Sequence, residues 1–307
     1  MIVLITGATG FIGRALSARL AAEGHALRVL TRNTNATSPA GLPAGTSAFP
    51  WPSGGPVPAA AVAGADAVVH LAGETIGAWP WTADRKRRIL DSRVDGTRAL
   101  VDAIGRARKS GMGGPGVLVS ASAVGYYGDG GDEALSEARG PGKGFLAEVC
   151  AAWERETFRA RDLGLRTVAI RNGLVLGRGG VLEKLLPVYR LGGGAVLGSG
   201  RQWWSWAHLG DTAGIFAHAL GDPALEGPVN ACAPQSVTQG DFARALAKAV
   251  HRPLWLKAPA FALRLGLGEM ACTLLEGQKT DVSKLAKGYD YRYRTLDAAL
   301  QDIAAGG

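Results

Sequence analysis

The chain has 307 residues, 47% of them hydrophobic, which is enough to bury a large core and excludes a disordered class. No apolar run approaches the ~20 residues of a membrane span, and the first residues lead into an apolar strand without signal-peptide architecture, so a cytoplasmic protein with no membrane partner is expected. Net charge is +8, but the basic residues are spread along the chain and the densest run, Arg85 to Arg88, reads as the solvated face of a helix, so no nucleic-acid partner is expected either.

Ile2 to Thr6 is a β-branched apolar run that reads as a buried parallel strand, and it opens into Gly7, Gly10 and Gly13 before a helical pattern from Phe11 to Glu23. Gly7 allows a tight turn out of the strand. Gly10 lets the backbone approach a pyrophosphate, and Gly13 lets helix and sheet pack closely. The free N–H groups and the positive end of the helix then face the phosphates of a dinucleotide. Ala26 to Thr31 is the second strand, ending Thr31-Arg32-Asn33. A nicotinamide dinucleotide lacking the 2′-phosphate calls for a carboxylate about 20 residues past the glycines. Here a guanidinium, Arg32, stands there instead, which favours NADP(H) through a charge-assisted contact to a 2′-phosphate.

Residues 33–64 are rich in Gly, Pro, Ala and Ser and read as a long connection with one short strand and a weak helix. Ala67 to Leu71 is the next strand and runs out into Ala72-Gly73, a place where α/β sheets lay a ligand across their carboxyl ends. A long helix follows, with Thr82 or Asp84 as its cap. The strand Val117 to Ser120 continues into SASAVGYYGDGGDE, whose Ser120, Ser122, Tyr126 and Tyr127 look like site chemistry. A helix from Gly144 to Leu163 and a strand from Thr167 to Arg171 complete a regular β–α alternation, which implies a doubly wound parallel sheet. Beyond Arg171 come a glycine-rich loop from Leu191 to Gly200, the cluster Trp203, Trp204 and Trp206, a helix capped by Asp211, a strand at Val229 to Cys232, a helix from Phe242 to Val250 and further helical segments. The three cysteines and five histidines have no ligand spacing, so no metal is expected.

These motifs resemble the extended branch of the short-chain dehydrogenase/reductase superfamily: TGATGFIG at 6–13, DAVVHLAG at 66–73, SASAVGYYG at 120–128, IRNGLVLG at 170–177 and WAHLGD at 206–211. HLAGETI, DSRVDGTR, LGSGRQ and LLEGQK…GYDYRY resemble more narrowly its epimerase-family, sugar-nucleotide-epimerase-like subgroup with a C-terminal domain of unknown function. The resemblance implies a Rossmann-type α/β fold with a small C-terminal substrate lobe. Residues 1–172 would form the NADP-binding domain, with 205–230 returning to it, and 173–204 with 231–307 the lobe. It also implies a phosphate loop on Gly7, Thr9, Gly10, Phe11, Ile12 and Gly13, a 2′-phosphate contact on Thr31 and Arg32, ribose contacts on Leu71, Ala72 and Gly73, and Arg93 reaching the cofactor. Ser122 matches the serine that hydrogen-bonds a reacting oxygen.

Two departures stand out. The superfamily's Tyr-x-x-x-Lys pair is replaced, with Phe145 where the tyrosine is expected and Val149 where the lysine is. Trp204 takes the place of the arginine that clamps a nucleotide diphosphate, so a substrate other than a nucleotide sugar is expected, in a pocket lined by some of the tryptophans unless these are packing residues. Tyr126 is the candidate proton donor, with Lys86 and Lys143 as candidate cations to lower its pKa. The expectation is an NADP-dependent oxidoreductase or epimerase acting on a small carbonyl or secondary alcohol. The competing reading is an NADPH-binding regulatory protein with little turnover, and the oligomeric state is left open.

Overall fold

The apolar β-branched runs pair as the alternation requires in a computed structural model that describes residues 1–32, 41–52 and 54–305. Seven strands form one sheet: β1 (Ile2–Thr6), β2 (Ala26–Thr31), β3 (Ser47–Pro50), β4 (Ala67–His70), β5 (Val117–Ala123), β6 (Arg166–Asn172) and β7 (Gly227–Ala231). Their spatial order is β7-β6-β5-β4-β1-β2-β3, and every pairing is parallel. The order reverses beside β1, so a crevice opens between the carboxyl ends of β1 and β4.

Both faces are covered, which is why the strands are nearly continuous apolar runs. On one face α1 (Phe11–Ala22) contributes Leu16 and Leu20 to a core shared with Ile215 and Phe216 of a later helix, Leu209–Gly221. On the other, α2 (Ala83–Lys109) buries Leu100 and Ile104 against Leu4, Val68 and Leu118. Thr82 caps α2 by accepting from Arg85 N. The next helix, α3 (Phe145–Phe158), ends earlier than its sequence pattern suggests and continues as a 3-10 turn over Arg159–Leu163.

The later chain builds a third core from Leu176, Leu182, Trp206, Phe242, Leu246, Leu296 and Leu300. Short strand pairs stitch it together, Leu174–Gly177 with Trp206–His208 and Ala195–Leu197 with Leu256–Ala258. The second pair places a strand inside the glycine-rich stretch read from sequence as a loop. Leu209–Gly221 and β7 meanwhile return to the central sheet. Among the described residues no helix is long and apolar enough to cross a membrane.

One cap differs from its expectation. His208, not Asp211, caps Leu209–Gly221, its Nδ1 accepting from Gly210 N at 3.1 Å. The Asp211 carboxylate is 2% exposed and turns to the tail, accepting from Arg292 N and Tyr293 N at 2.9 Å and from the Tyr289 hydroxyl at 3.1 Å. It clamps the GYDYRY segment to the sheet's covering helix. Asp211→Ala leaves two backbone donors without partners and should lower unfolding free energy by about 2–4 kcal/mol, measured by urea denaturation.

Candidate active site

The turn after β1 is built around missing side chains. Gly7 has φ +71°, and a Cβ there would lie 2.8 Å from Leu71 C and 2.9 Å from Ala72 N, so the exits of β1 and β4 pack backbone to backbone. A Cβ on Gly13 would lie 2.2 Å from Gly7 O, which shows that this glycine lets the turn fold back onto its own helix. Gly10 begins α1 with no side-chain cap, and the first turn carries no acidic residue. The result is an open, positively polarised helix N-terminus at the sheet's carboxyl edge, suited to a diphosphate. Thr9 is exposed and its carbonyl accepts from Arg14 Nε. Phe11 lies against Gly177, Gly179 and Gly180, where a Cβ on Gly179 would come within 2.9 Å of its ring. Ile12 packs on the core beneath.

Thr31 ends β2, its carbonyl accepting from Trp51 N at 2.8 Å, and Arg32 follows as an exposed side chain. Asn33 lies outside the described residues. At the end of β4 a hydrogen-bond chain fixes the loop of Leu71, Ala72 and Gly73. Leu71 N and Ala72 N donate to Thr6 Oγ1, which contacts His70 Nδ1 at 2.7 Å; His70 Nε2 contacts Thr97 Oγ1 at 3.0 Å, and Thr97 donates to the Arg93 carbonyl. Thr97 already spends its hydrogen on Arg93, so the neutral tautomer with the proton on Nε2 satisfies every atom. His70 is fully buried, and burial first, then the Arg93 charge, lower its pKa to about 4. Arg93 donates to the Glu74 and Ile89 carbonyls and lies over the Trp153 ring. Gly73 leaves room for its guanidinium, which a Cβ would approach to 3.2 Å.

Further along the sheet edge, register aligns Ser122 with Arg171 and Arg171 with Asn230. The structure joins them through Glu154 of α3. Arg171 Nε and Nη2 donate to the two Glu154 oxygens at 2.8 Å, and Ser122 Oγ donates to Oε1 at 2.7 Å. Arg171 Nη1 donates to Tyr127 Oη, whose hydroxyl donates to Asn230 Oδ1. Asn230 Nδ2 in turn donates to the carbonyls of Leu135 and Asp281. Although burial works against the charge, the bonds to Glu154 hold the Arg171 pKa above its ordinary value. Burial pushes Tyr127 up to about 12. Tyr126 stacks on the Arg171 guanidinium at 3.6 Å, and burial raises its pKa with Arg171 pulling the other way.

The cation beside Tyr126 is therefore Arg171, a residue that sequence reading left in a strand without a role. Lys86 sits elsewhere, its ammonium on the Glu269 carboxylate at 2.7 Å and 4.8 Å from the Phe145 ring, which also meets Trp81 edge-on. Lys143 contributes its backbone to the turn at Gly128. The run Arg85 to Arg88 is thus not wholly solvated, because Arg85 and Lys86 turn onto Glu74 and Glu269. Glu269 also lines a cavity of about 450 Å³ with Asp129, Arg264, Cys272 and Glu276. None of the three clustered tryptophans lines it. Trp206 is fully buried in the lobe core, Trp204 packs on Phe242, and Trp203 donates from Nε1 to Asp132.

A model of the NAD dependent epimerase/dehydratase family matches residues 3–232, and a model of a domain of unknown function (DUF1731) matches residues 258–303. The chain is 40% identical over 314 residues to the chloroplastic epimerase family protein SDR39U1 homolog of Arabidopsis thaliana, covering 99% of this chain and 86% of that one. It is 33% identical to the epimerase family protein YfhF of Bacillus subtilis, covering 99% and 98%. Its fold is similar to the crystal structure of the human epimerase family protein SDR39U1 with NADPH, at TM-score 0.87 and 34% identity, with 100% of both chains covered.

The His70 chain carries a pH dependence. An unfolded histidine takes its proton near pH 6.5 while the folded one resists it until about 4, so the stabilisation is complete above pH 6.5 and is lost as pH falls toward 4. The loss should reach about 3 kcal/mol. Guanidinium unfolding across that window should show a shallower slope for His70→Leu than for the parent.

Proposed function

Because the chain belongs to the NAD dependent epimerase/dehydratase family, we propose that it binds NADP(H) across the carboxyl ends of β1, β2 and β4 and reduces a small carbonyl compound. The observation that carries this reading is the glycine-built, uncapped and acid-free N-terminus of α1 facing that edge. The backbone N–H groups of Phe11 and Ile12 hold the diphosphate, the Gly10 N–H closing the turn onto the Gly7 carbonyl at 3.0 Å. Thr31 and Arg32 take the 2′-phosphate, and the loop of Leu71, Ala72 and Gly73, held by Thr6 and braced by Arg93, lies along the ribose. The bound nicotinamide supplies a hydride.

The chain's own contribution is the proton. Reduction leaves an alkoxide, and Tyr126 donates to it: its raised pKa keeps the phenol protonated, and the Arg171 guanidinium over its ring stabilises the phenolate that remains. Ser122 orients the substrate oxygen only by sharing the hydroxyl that it donates to Glu154. A specific observation favours the second reading, an NADPH-binding regulatory protein. Ser122 is engaged by Glu154, and Phe145, which cannot titrate, stands where the superfamily has its tyrosine.

Titration by nicotinamide fluorescence should show NADPH bound roughly 10- to 100-fold more tightly than NADH, the worth of one charge-assisted contact, with Arg32→Asp erasing or inverting the preference. Equal affinities in the parent protein would exclude Arg32 from cofactor choice. Against a panel of aldehydes and ketones, Tyr126→Phe should lower kcat by about 10²-fold while NADPH affinity stays within a factor of a few. Tight NADPH binding with no consumption across the panel supports the regulatory reading.

A further inference from the structure

Residues 184–210 and 242–268 contain no aspartate or glutamate. The fold brings the two stretches together: Leu256–Ala258 pairs in parallel with Ala195–Leu197, and Arg252 Nε donates to the Arg190 carbonyl at 2.8 Å. From this face Leu191, Trp255, Phe261 and Leu265 stand out with 89, 86, 73 and 87% of their surface exposed, so they project from the surface and do not line a groove. The helix Ala260–Leu267 explains part of the pattern. Ala260, Leu263 and Leu267 turn partly inward, whereas Phe261 and Leu265, one turn apart, face solvent, and no residue of the helix is buried. Lys248, Arg252 and Lys257 are exposed on the same stretches, whereas Arg190 shares a cleft with Glu183 and Arg264 turns to the cavity with Asp129, Glu269 and Glu276. The acidic residues that flank the second stretch in sequence are already engaged, Asp241 by Arg244 and Glu269 by Lys86.

Large apolar side chains normally occur singly on a surface, and several on one face mark a contact. A second copy docked through the same face would set cations against cations. A basic rim around projecting tryptophan, phenylalanine and leucine side chains matches the interfacial zone of a bilayer, where indole rings sit at headgroup level and cations meet anionic lipids. We propose that this face of the C-terminal lobe docks reversibly onto an anionic lipid surface, with Trp255, Phe261 and Leu265 entering the headgroup region and the lysines and arginines meeting its negative charge. The absence of a membrane-crossing helix among the described residues concerns spanning a bilayer and leaves lying on one unaffected. The sequence expectation of no membrane partner rested on the missing span, and the proposal stands independently of the dinucleotide reading.

The test is co-sedimentation of the full chain with phosphatidylcholine vesicles that contain either no charged lipid or about 30% phosphatidylserine. Binding should be roughly 10-fold or more stronger to the anionic vesicles and should weaken with added salt. The double variants Trp255→Ser/Phe261→Ser and Lys248→Glu/Lys257→Glu should each lose it at unchanged unfolding temperature, since all four side chains are exposed. No binding to anionic vesicles at low salt overturns the proposal, as does undiminished binding of both variants. Dimerisation in solution that Trp255→Ser/Phe261→Ser abolishes, without vesicle binding, would assign the face to a second copy instead.

Discussion

The buried pair of Arg171 and Glu154 constrains everything around the sheet's carboxyl edge. Removing two charges from water costs several kcal/mol per ion, and the interior tolerates them only when geometry is good and the remaining hydrogen-bonding capacity is filled. That condition is met through Ser122, Tyr127 and Asn230, so the pair joins β5, α3, β6 and β7. Asn230 extends the link to Asp281 of the C-terminal lobe. A half-satisfied version would be worse than an apolar core. The residues therefore form a unit, and the hydroxyl of Ser122 is one of its parts.

At Phe145 and Val149 the chain departs from the superfamily pattern. In the superfamily pattern that the sequence resembles, a helical lysine accompanies the tyrosine. Here the cation beside a tyrosine comes from a strand, as Arg171 under Tyr126, while the phenylalanine lies between Trp81 and Lys86. An arginine cannot give up its proton, so it can only stabilise charge that forms next to it. The chemistry proposed for this edge is accordingly that of a protonated phenol over a permanent cation.

The C-terminal lobe faces two ways. Inward, it is tied down through Asp211, Asn230 and Ser205, the last with its hydroxyl donating to the Gln278 carbonyl at 2.7 Å. Outward, the helix Ala260–Leu267 has no buried residue and shows Phe261 and Leu265 to solvent. The lobe is thus cohesive at one surface and leaves large apolar side chains exposed at the other.

Short-range signals made the dinucleotide half of this fold legible in the sequence. Strands buried on both faces must be apolar runs, and the turn at Gly7 needs positive φ, so IVLIT followed by glycines at 7, 10 and 13 states its geometry locally. The missing carboxylate and the arginine after β2 are equally local. Asp211 misled as a helix cap because its residue type suits a cap, whereas its hydrogen-bond partners lie some 80 positions away, at Arg292 and Tyr293. Trp203, Trp204 and Trp206 are close in sequence yet line no common pocket: Trp204 and Trp206 pack into the lobe core with Phe242, and Trp203 turns away to Asp132. Which cation meets Tyr126, and where the Ser122 hydroxyl points, were settled only when parallel register brought Arg171 beside Ser122 and α3 packed Glu154 onto both. Backbone requirements are written within a few residues of where they act. Pairing of buried charges depends on segments that meet only after the sheet has formed, and no local pattern encodes it.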